Sequence, residues 1–256
     1  MILVIANDKR MTYVADELSE FFNVVRYGSN FDITKIKFAI LPFKVELIEM
    51  RMLVNQLPED CVFFTPVMRN FLQGLPQQIE IIMDHDEIAI YNSIPTAEGT
   101  IFYIMQNTEH TIHGANIHVI GAGRCGETIA KSLRALGANV QISSRNPTLS
   151  ARLFESGIPV VEIDEKALRE ADVIINTVPA MMLGSNQLRH VKKGAYIADI
   201  ATAPGGVDFE AASKLGIKAE LLPALPGIVA PKTAASYLAQ FIKRQINESW
   251  CNTCHK

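Results

Sequence analysis

A glycine-rich turn between an apolar run and a helical pattern is the feature that most constrains the fold of this chain. Residues 117–126 read IHVIGAGRCG. In such a turn Gly121 permits the tight bend, Gly123 allows a pyrophosphate to approach the backbone, and Gly126 lets the next helix pack closely on the strand. The pattern predicts a dinucleotide-binding turn whose phosphates face the helix N-terminus. The alternative is an ordinary strand-to-helix turn that the glycines only shape.

The residues that flank the turn favour nucleotide binding. Ile129, Ala130 and Leu133 recur at helical spacing, and Gly137 stands where a helix C-terminal glycine belongs. Residues 139–142 then predict a second strand. The cofactor contacts predicted at the turn are Gly121, Ala122, Gly123, Arg124, Cys125 and Gly126.

The end of the second strand indicates which dinucleotide is bound. NAD-binding proteins commonly place an Asp or Glu there, about 20 residues past the glycines, to accept the ribose hydroxyls. This chain has Ser143, Ser144 and Arg145 instead, and two hydroxyls with a guanidinium suit a 2′-phosphate. We therefore predict NADP (NADPH) as the cofactor. In the alternative, Arg145 is a solvated turn residue before a helix start at Asn146 and Pro147.

Size and charge exclude several classes of partner. The chain has 256 residues, is 48% hydrophobic and carries a formal net charge of −3. It is long enough to bury a sizeable core, in two lobes or one large domain. No basic cluster indicates nucleic acid or an acidic membrane as a partner. The apolar run at residues 1–6 is too short for a membrane span or a signal sequence, which predicts a cytoplasmic protein.

The four cysteines predict neither a disulfide framework nor a metal site. Cys61 and Cys125 are far apart in the sequence. Cys251, Cys254 and His255 match the haem-attachment pattern and half of a zinc site, but they occupy a polar tail without a second ligand pair. We expect reduced thiols and no bound metal.

Alternating apolar runs and helical patterns predict an α/β fold with two lobes. The first lobe, residues 1–94, is expected to be a small flavodoxin-like α/β unit with a parallel sheet and the substrate site. A connecting helix, residues 95–113, follows a charged break and has Pro95 in its first turn. The strands predicted in the first lobe are residues 2–6, 38–41 and 61–64, and the helices are residues 11–22 and 45–56.

Residues 114–230 predict the nucleotide-binding lobe, a Rossmann doubly wound parallel sheet. Residues 231–256 are expected to form an amphipathic helix that packs back on the first lobe, followed by the polar tail. Six strands are expected in the sheet, at residues 117–120, 139–142, 160–161, 172–177, 195–200 and 217–222. Ligands of such sheets bind beyond the carboxyl ends of the strands. The residues expected there around the nicotinamide are Thr177, Val178, Pro179, Ile200 and Ala201.

Four segments resemble the A-subunit family of dipicolinate synthase. They are residues 89–100 (AIYNSIPTAEGT), 111–114 (TIHG), 204–209 (PGGVDF) and 225–234 (LPGIVAPKTA). The resemblance implies a fold like that of the formate/glycerate dehydrogenase group, with an active site in the cleft between the lobes. It also implies that, in sporulating bacteria, the chain acts with a flavoprotein-like B subunit. Together they would oxidise a dihydro- or hydroxytetrahydro-dipicolinate to dipicolinate, with an oxidised nicotinamide as hydride acceptor.

The implied substrate is a small dicarboxylate, so its site needs cations or backbone donors. Lys232 and a helix N-terminus near Pro95 and Thr96 are expected to supply them. Asn92, Ser93 and Thr96 are expected to orient the ring. In the alternative, Asn92 and Ser93 only cap the helix that starts at Pro95, and Lys232 only solvates a helix start.

The groups that transfer protons are less clearly marked. Asp199 is expected at a strand end beside the nicotinamide or its ribose, with a turn cap as the alternative. His85, His113 and Asp199 are the candidates for general acid or base, and His113 also suits a structural hinge contact. Cys125 faces a helix N-terminus that would lower the pKa of its thiol, or is simply a small residue beside the cofactor.

Two departures from the family pattern leave other functions open. Thr202 and Ala203 stand where the family usually has Ser and then Arg or Lys before Pro-Gly-Gly, and the first lobe is shorter than expected. One alternative is an NADP-dependent oxidoreductase that acts on another small carboxylate. The other is a non-catalytic nucleotide-binding subunit that positions a flavoprotein partner. A homo-oligomer is compatible with each of these functions.

Overall fold

The structure, a computed structural model, describes residues 1–44 and 47–253. The chain forms two compact units, Met1–Asn92 with Ala230–Lys256, and Ser93–Val229. Each unit contains a five-stranded parallel sheet, and apolar clusters cover both of its faces. The predicted class, a Rossmann doubly wound parallel sheet with a smaller flavodoxin-like α/β lobe, is confirmed.

The sheet of the first unit consists of β1 (Ile2–Val4), β2 (Val24–Arg26), β3 (Phe38–Ile40), β4 (Val62–Thr65) and β5 (Ile79–Ile81). Its order, β2-β1-β3-β4-β5, is the flavodoxin order. The sequence patterns did not reveal β2 and β5. Both are three-residue edge strands without a fully buried side chain, so neither has the continuous apolar run that marks a central parallel strand.

Two helices of this unit follow β1 and β3, namely α1 (Lys9–Ser19) and α2 (Leu47–Val54). Asp8 is the N-cap of α1, and its side chain accepts a hydrogen bond from the Met11 amide at 2.8 Å. The buried face of α1 includes Met11, Val14 and Leu18. The predicted start of the second helix at residue 45 lies outside the described residues.

The connecting helix is longer than predicted. α3 runs over Asp86–Asn107, and Pro95 lies inside it, so the prediction that the helix begins at Pro95 is wrong. Asp86 and Glu87 place two carboxylates in the first turn, where the helix dipole favours negative charge. Pro95 removes one backbone hydrogen bond. The burial of Ala97 and Ile104 in the second unit's core offsets that loss.

The sheet of the second unit has the order β10-β9-β8-β6-β7. Its strands are β6 (Asn116–Ile120), β7 (Asn139–Ser143), β8 (Val173–Asn176), β9 (Tyr196–Asp199) and β10 (Lys218–Leu221). Its further helices are α4 (Arg124–Ala135), α5 (Pro147–Glu155), α6 (Glu165–Glu170), α7 (Ser185–Leu188), α8 (Phe209–Lys214) and α9 (Leu225–Val229).

The prediction of a sixth strand at residues 160–161 is wrong. Val160 forms only an isolated parallel bridge with Ile142 of β7. This bridge stands beside β7, at the place of the third strand in the 3-2-1-4-5-6 order of Rossmann sheets. The apolar run there is only a few residues long, which is too short for a regular strand.

The last helix, α10 (Pro231–Thr253), belongs to the first unit. Its buried side chains recur at helical spacing and share one apolar cluster with the buried face of α1. They include Ala235, Leu238, Ala239, Ile242 and Ile246. Cys254 and His255 of the predicted tail motif lie outside the described residues, and so does the Cys251 side chain.

Two properties of the described residues bear on partners. None of the described helices is both long and apolar enough to cross a membrane. Within the same residues, no group of three or more His, Cys, Asp or Glu side chains could hold a metal ion.

Candidate functional site

The glycine turn after β6 requires glycine at two positions. Gly121 has φ +99°, a conformation that L side chains rarely adopt. A Cβ on Gly121 would also overlap the hydroxyl of Thr177, and a Cβ on Gly126 would overlap the carbonyl oxygen of Gly121. The close approach of α4 to β6 therefore depends on these glycines.

The N-terminus of α4 is open where a phosphate would approach. Its N-cap is Gly123, in extended backbone (φ −69°, ψ −176°), and a Cβ built there would meet no atom within 4 Å. Gly123 thus brings no side chain to the first-turn amides, which in other helices bond to a capping Ser or Asp. These amides and the helix dipole suit an anion such as a pyrophosphate. The backbone of the turn therefore fits a dinucleotide.

A cavity of ≈ 730 Å³ lies at the carboxyl ends of β6, β7 and β8. Doubly wound sheets bind their ligands at this edge, and the volume is typical of cofactor sites. The predicted cofactor contacts that line the cavity are Gly121, Ala122, Gly123, Ser143, Ser144, Arg145, Thr177, Val178 and Pro179.

The other predicted cofactor contacts do not line this cavity. Arg124, Cys125 and Gly126 form the first turn of α4, and Ile200 and Ala201 follow β9. Burial raises the pKa of the Cys125 thiol, which packs against the apolar core. Burial outweighs the charge of Arg124, which favours the alternative that Cys125 is simply a small residue beside the turn.

Part of the lining was not predicted from the sequence. Glu162 contributes the one carboxylate among the described lining residues, and it is exposed. Glu162 follows the Val160 bridge, which stands at the place of a sixth strand in Rossmann sheets. Because the carboxyl ends of parallel strands meet at one edge, the strand predicted at residues 160–161 was a signal that Glu162 reaches the cavity. The lining residues without a prediction are Ile120, Asn146, Leu149, Val161, Glu162, Ile163 and Met182.

The end of β7 presents two hydroxyls and a guanidinium to the cavity. Ser143 is nearly buried, whereas the Arg145 side chain is exposed. Asn146 is the N-cap of α5, since its side chain accepts from the amides of Thr148 and Leu149 at 3.0 and 3.2 Å. A helix therefore starts at Asn146 and Pro147, as the alternative interpretation of Arg145 expected. Arg145 nevertheless lines the cavity.

A buried amide and a buried carboxylate hold the loops that follow β8 and β9. Asn176 donates to Asp199 at 2.9 Å and accepts from the Val178 amide at 3.2 Å. Asp199 also accepts from the amides of Ala201 and Gly206, at 3.1 and 2.6 Å. Asn176 and Asp199 have no exposed surface. This geometry favours the turn-cap interpretation of Asp199 over contact with the cofactor.

The side chains predicted to bind the substrate are divided between the two units. Asn92 and Ser93 lie within α3, so the alternative that they cap a helix at Pro95 is wrong. No helix begins at Pro95 in the described chain, so the backbone donors expected there are missing. The first unit contains Asn92 and the exposed Lys232, and the second contains Ser93, Thr96 and Asp199.

Ser93 and Thr96 have partners on neighbouring turns and helices. The Ser93 hydroxyl, 1% exposed, is 2.7 Å from that of Thr128 on α4. Thr128 also donates to the Arg124 carbonyl at 2.9 Å. The carbonyl of Thr96 accepts from the Thr100 hydroxyl at 2.8 Å. Ser93 therefore braces the helix whose first-turn amides face the cavity.

Neither candidate histidine lines the cavity. His113 packs against Gly137 at the amino ends of β6 and β7, which is the opposite edge of the sheet. A proton shuttle must lie within hydrogen-bond reach of the reacting atoms, so the role of His113 as general acid or base at this cavity is wrong. His85 lies in the first unit, where it pairs with Glu80 and contacts the Phe241 ring at 4.6 Å.

The class of protein follows from this site and from a family match. Residues 97–212 match the family model described as the D-isomer specific 2-hydroxyacid dehydrogenase, NAD binding domain. Together with the glycine turn and the cavity, this match defines an oxidoreductase with a nicotinamide-cofactor-binding domain.

Comparison with known proteins narrows the class to one family. The chain is 42% identical over 201 residues to the A subunit of dipicolinate synthase of Bacillus subtilis (strain 168), a match that covers 76% of this chain and 68% of that protein. The solved structure of the Bacillus halodurans A subunit of the same enzyme superposes with a TM-score of 0.87 at 34% identity, covering 95% of this chain and 96% of that one. The chain belongs to the A-subunit family of dipicolinate synthase.

The solved A chain of dipicolinate synthase from Bacillus subtilis superposes equally well. Its TM-score is 0.87 at 33% identity, and the match covers 98% of this chain and 97% of that one. The shorter first lobe stays a prediction.

Proposed function

We propose that this chain is the A subunit of a dipicolinate synthase that uses NADP to oxidise a dihydro-dipicolinate, or a hydroxytetrahydro-dipicolinate that also loses water, to dipicolinate. Family membership supports the reaction. The observation that carries the choice of NADP is the end of β7, where Ser143, Ser144 and Arg145 line the cavity in place of the usual acidic residue. The same proposal includes a cytoplasmic location, a role in sporulation and a flavoprotein-like B subunit.

Two groups of residues would hold the cofactor. The backbone at Gly121 and Gly123 and the first amides of α4 bind the pyrophosphate. Arg145 and the neighbouring serines bind the 2′-phosphate through charge-assisted hydrogen bonds. When bound, the oxidised nicotinamide supplies the hydride acceptor that aromatisation of the substrate ring requires.

The remaining residues position rather than react. Asn176 and Asp199 fix the loops at residues 177–180 and 199–206, so the cavity wall that residues 177–179 form keeps one shape. Lys232, with Asn92, Ser93 and Thr96, remains our proposal for the binding and orientation of the dicarboxylate. Of these four, Lys232 brings the positive charge that a substrate carboxylate needs.

Turnover with and without the B subunit tests the proposed reaction. The purified chain is mixed with the precursor and NADP, while NADPH and dipicolinate are followed by their ultraviolet absorption. Formation of both NADPH and dipicolinate supports the synthase function. Nucleotide binding without product in either condition contradicts it and leaves a binding-only role.

Arg145→Asp tests the choice of cofactor. The new carboxylate repels a 2′-phosphate, so we expect NADP affinity to fall roughly 10- to 100-fold and NAD affinity to rise. Arg152→Asp is the matched control, because Arg152 is an exposed arginine of α5 that does not line the cavity. Equal losses in the two variants would show that Arg145 acts only through general charge.

One observation favours a second candidate function, oxidation of a different small carboxylate. Ala203 stands where the family resemblance leads us to expect Arg or Lys, so the loop after β9 lacks a cation for a substrate carboxylate. A screen of small carboxylates with NADP separates the two functions. Restoration of the cation by Ala203→Arg is expected to improve dipicolinate formation only if the first proposal holds.

A further inference from the structure

Ser143, the last residue of β7, contacts a buried histidine that does not line the cofactor cavity. His118, within β6, has no exposed surface. Its Nε2 lies 2.7 Å from Oγ of Ser143, which lines the nucleotide cavity. Ile120 is paired with Ser143 across the two strands, and side chains two residues apart on a strand share a face. His118 therefore supports Ser143 from within the sheet.

The other ring nitrogen decides how this hydrogen bond is directed. Nδ1 of His118 is buried and has no hydrogen-bond partner among the described residues. A buried N–H without an acceptor is rarer than an acceptor atom without a donor. The ring is therefore best accommodated with its proton on Nε2, so that Nε2–H donates to the Ser143 oxygen.

The charge state of the ring agrees with this assignment. Burial lowers the pKa of His118 to about 4, even though Asp164 opposes the shift. The ring is thus neutral at neutral pH and carries one proton. With that proton on Nε2, the Ser143 oxygen accepts from His118, and its own hydroxyl proton is available to another acceptor.

We propose that His118 is a positioning residue that makes Ser143 a hydrogen-bond donor to the 2′-phosphate of the bound dinucleotide. The identity of the phosphate rests on the proposed use of NADP. A carboxylate at this strand end accepts from ribose hydroxyls and so selects NAD. A serine held as a donor has the opposite polarity, which suits the oxygens of a phosphate.

A double-mutant cycle on NADP affinity, measured by calorimetry, tests the proposal. Ser143→Ala removes the donor and is expected to weaken NADP binding about tenfold. His118→Met replaces the ring by an apolar side chain and is expected to weaken binding about three- to tenfold. Because His118→Met also removes the unpartnered Nδ1, we expect no fall in the thermal midpoint. His118→Gln keeps a donor amide and serves as the control with near-normal affinity.

The double variant separates a positioning role from a structural one. If His118 acts through the Ser143 hydroxyl, the double variant loses no more affinity than Ser143→Ala alone. The proposal is overturned if the affinity losses of the two single variants multiply in the double variant. It is also overturned if His118→Met weakens NADP and NAD binding equally. If the unmodified protein binds NAD more tightly than NADP, the proposed cofactor fails. The same cycle read on NAD then still decides whether His118 acts through Ser143.

Discussion

The two sheets of this protein share a strand order but differ at the turn after the first strand. Counted within each unit, both sheets have the order 2-1-3-4-5. In the first unit, β1 leads to Asp8, whose carboxylate caps α1 by accepting from the Met11 amide. In the second unit, β6 leads to the glycine turn, and Gly123 is the N-cap of α4.

This difference shows why strand order alone does not make a nucleotide site. Each helix begins with amides that lack an intrahelical partner and attract an anion. In the first unit Asp8 supplies that anion from the chain itself, whereas Gly123 leaves the amides of α4 to a ligand. On the same topology, the residue at the N-cap therefore decides whether the helix N-terminus is capped by the chain itself or is left open to an anionic ligand.

The largest effect is expected from Gly126→Ala, which disrupts the close packing of α4 on the glycine turn of the second unit. The new Cβ would overlap the Gly121 carbonyl oxygen, which is backbone and cannot move aside. We expect a loss of about 3 kcal/mol in the free energy of unfolding and no measurable dinucleotide binding. Thermal unfolding and calorimetric titration measure the two effects.

Gly184→Ala is the control for this substitution. Gly184 is the N-cap of α7, and the atom nearest to a Cβ there is 3.5 Å away. Its cost is expected to stay below about 1 kcal/mol, with affinity unchanged. A normal affinity in Gly126→Ala would contradict the close-approach argument.

Gly123→Asp gives α4 an acidic N-cap like the Asp8 cap of α1. The backbone at Gly123 is extended and its Cβ position is open, so Asp fits as an N-cap. We expect the thermal midpoint to hold or rise, while dinucleotide affinity falls about 100-fold because the carboxylate occupies the phosphate position. Gly123→Asn, a neutral cap of the same size, separates charge from bulk. An unchanged affinity in the Asp variant would place the phosphates elsewhere.

Acid is expected to weaken the second unit before the first. The folded-state pKa of His118, about 4, lies below its ordinary value of 6.5. The resulting stability is present above pH 6.5 and is lost as the pH falls towards 4, at a rate of at most about 1.4 kcal/mol per pH unit. Hydrogen exchange of β6 and β1 between pH 7 and 5 measures the difference. His118→Gln should flatten the slope for β6, and an equal slope in both sheets would refute the assignment.

The smallest effect is expected from Asp8→Ala in the first unit. The substitution removes the cap of α1 and is expected to cost about 1 kcal/mol of stability. Dinucleotide affinity should not change, because the proposed cofactor contacts at the glycine turn and the end of β7 all lie in the second unit. Denaturant unfolding and titration measure these quantities. A loss of affinity would mean that the first unit takes part in nucleotide binding.

The sequence predicted those features that depend on local chemistry. The glycine turn identifies itself because Gly121 and Gly126 answer steric needs of the backbone and Gly123 leaves the helix N-terminus open. The apolar runs of β1, β3 and β4 mark buried parallel strands. The edge strands β2 and β5 escaped notice because solvent covers part of their side chains. The start of α3 was mispredicted because Pro95 suggested a first turn. Buried residues on both sides of Pro95, among them Ile88 and Ala97, sustain a longer helix.

The features that depend on tertiary packing could not be predicted. His118 lies 25 residues from Ser143, and only the register of β6 against β7 brings the two together. Likewise the Ser93–Thr128 contact depends on how α3 packs against α4. Glu162 lines the cavity because the segment before it forms a single bridge pair with β7. Apolar periodicity does not reveal so short a pairing.

The return of α10 to the first unit sets an order of events during synthesis. The first unit consists of two pieces of chain, with residues 93–229 inserted between them. Translation of that insertion takes on the order of ten seconds. Throughout this interval the apolar face of α1 (Met11, Val14 and Leu18) has no helix to cover it. The inserted unit, being continuous, can complete its core meanwhile. Chaperones that bind exposed apolar surface are therefore expected to act on residues 1–92 of the nascent chain, while residues 93–229 can already fold.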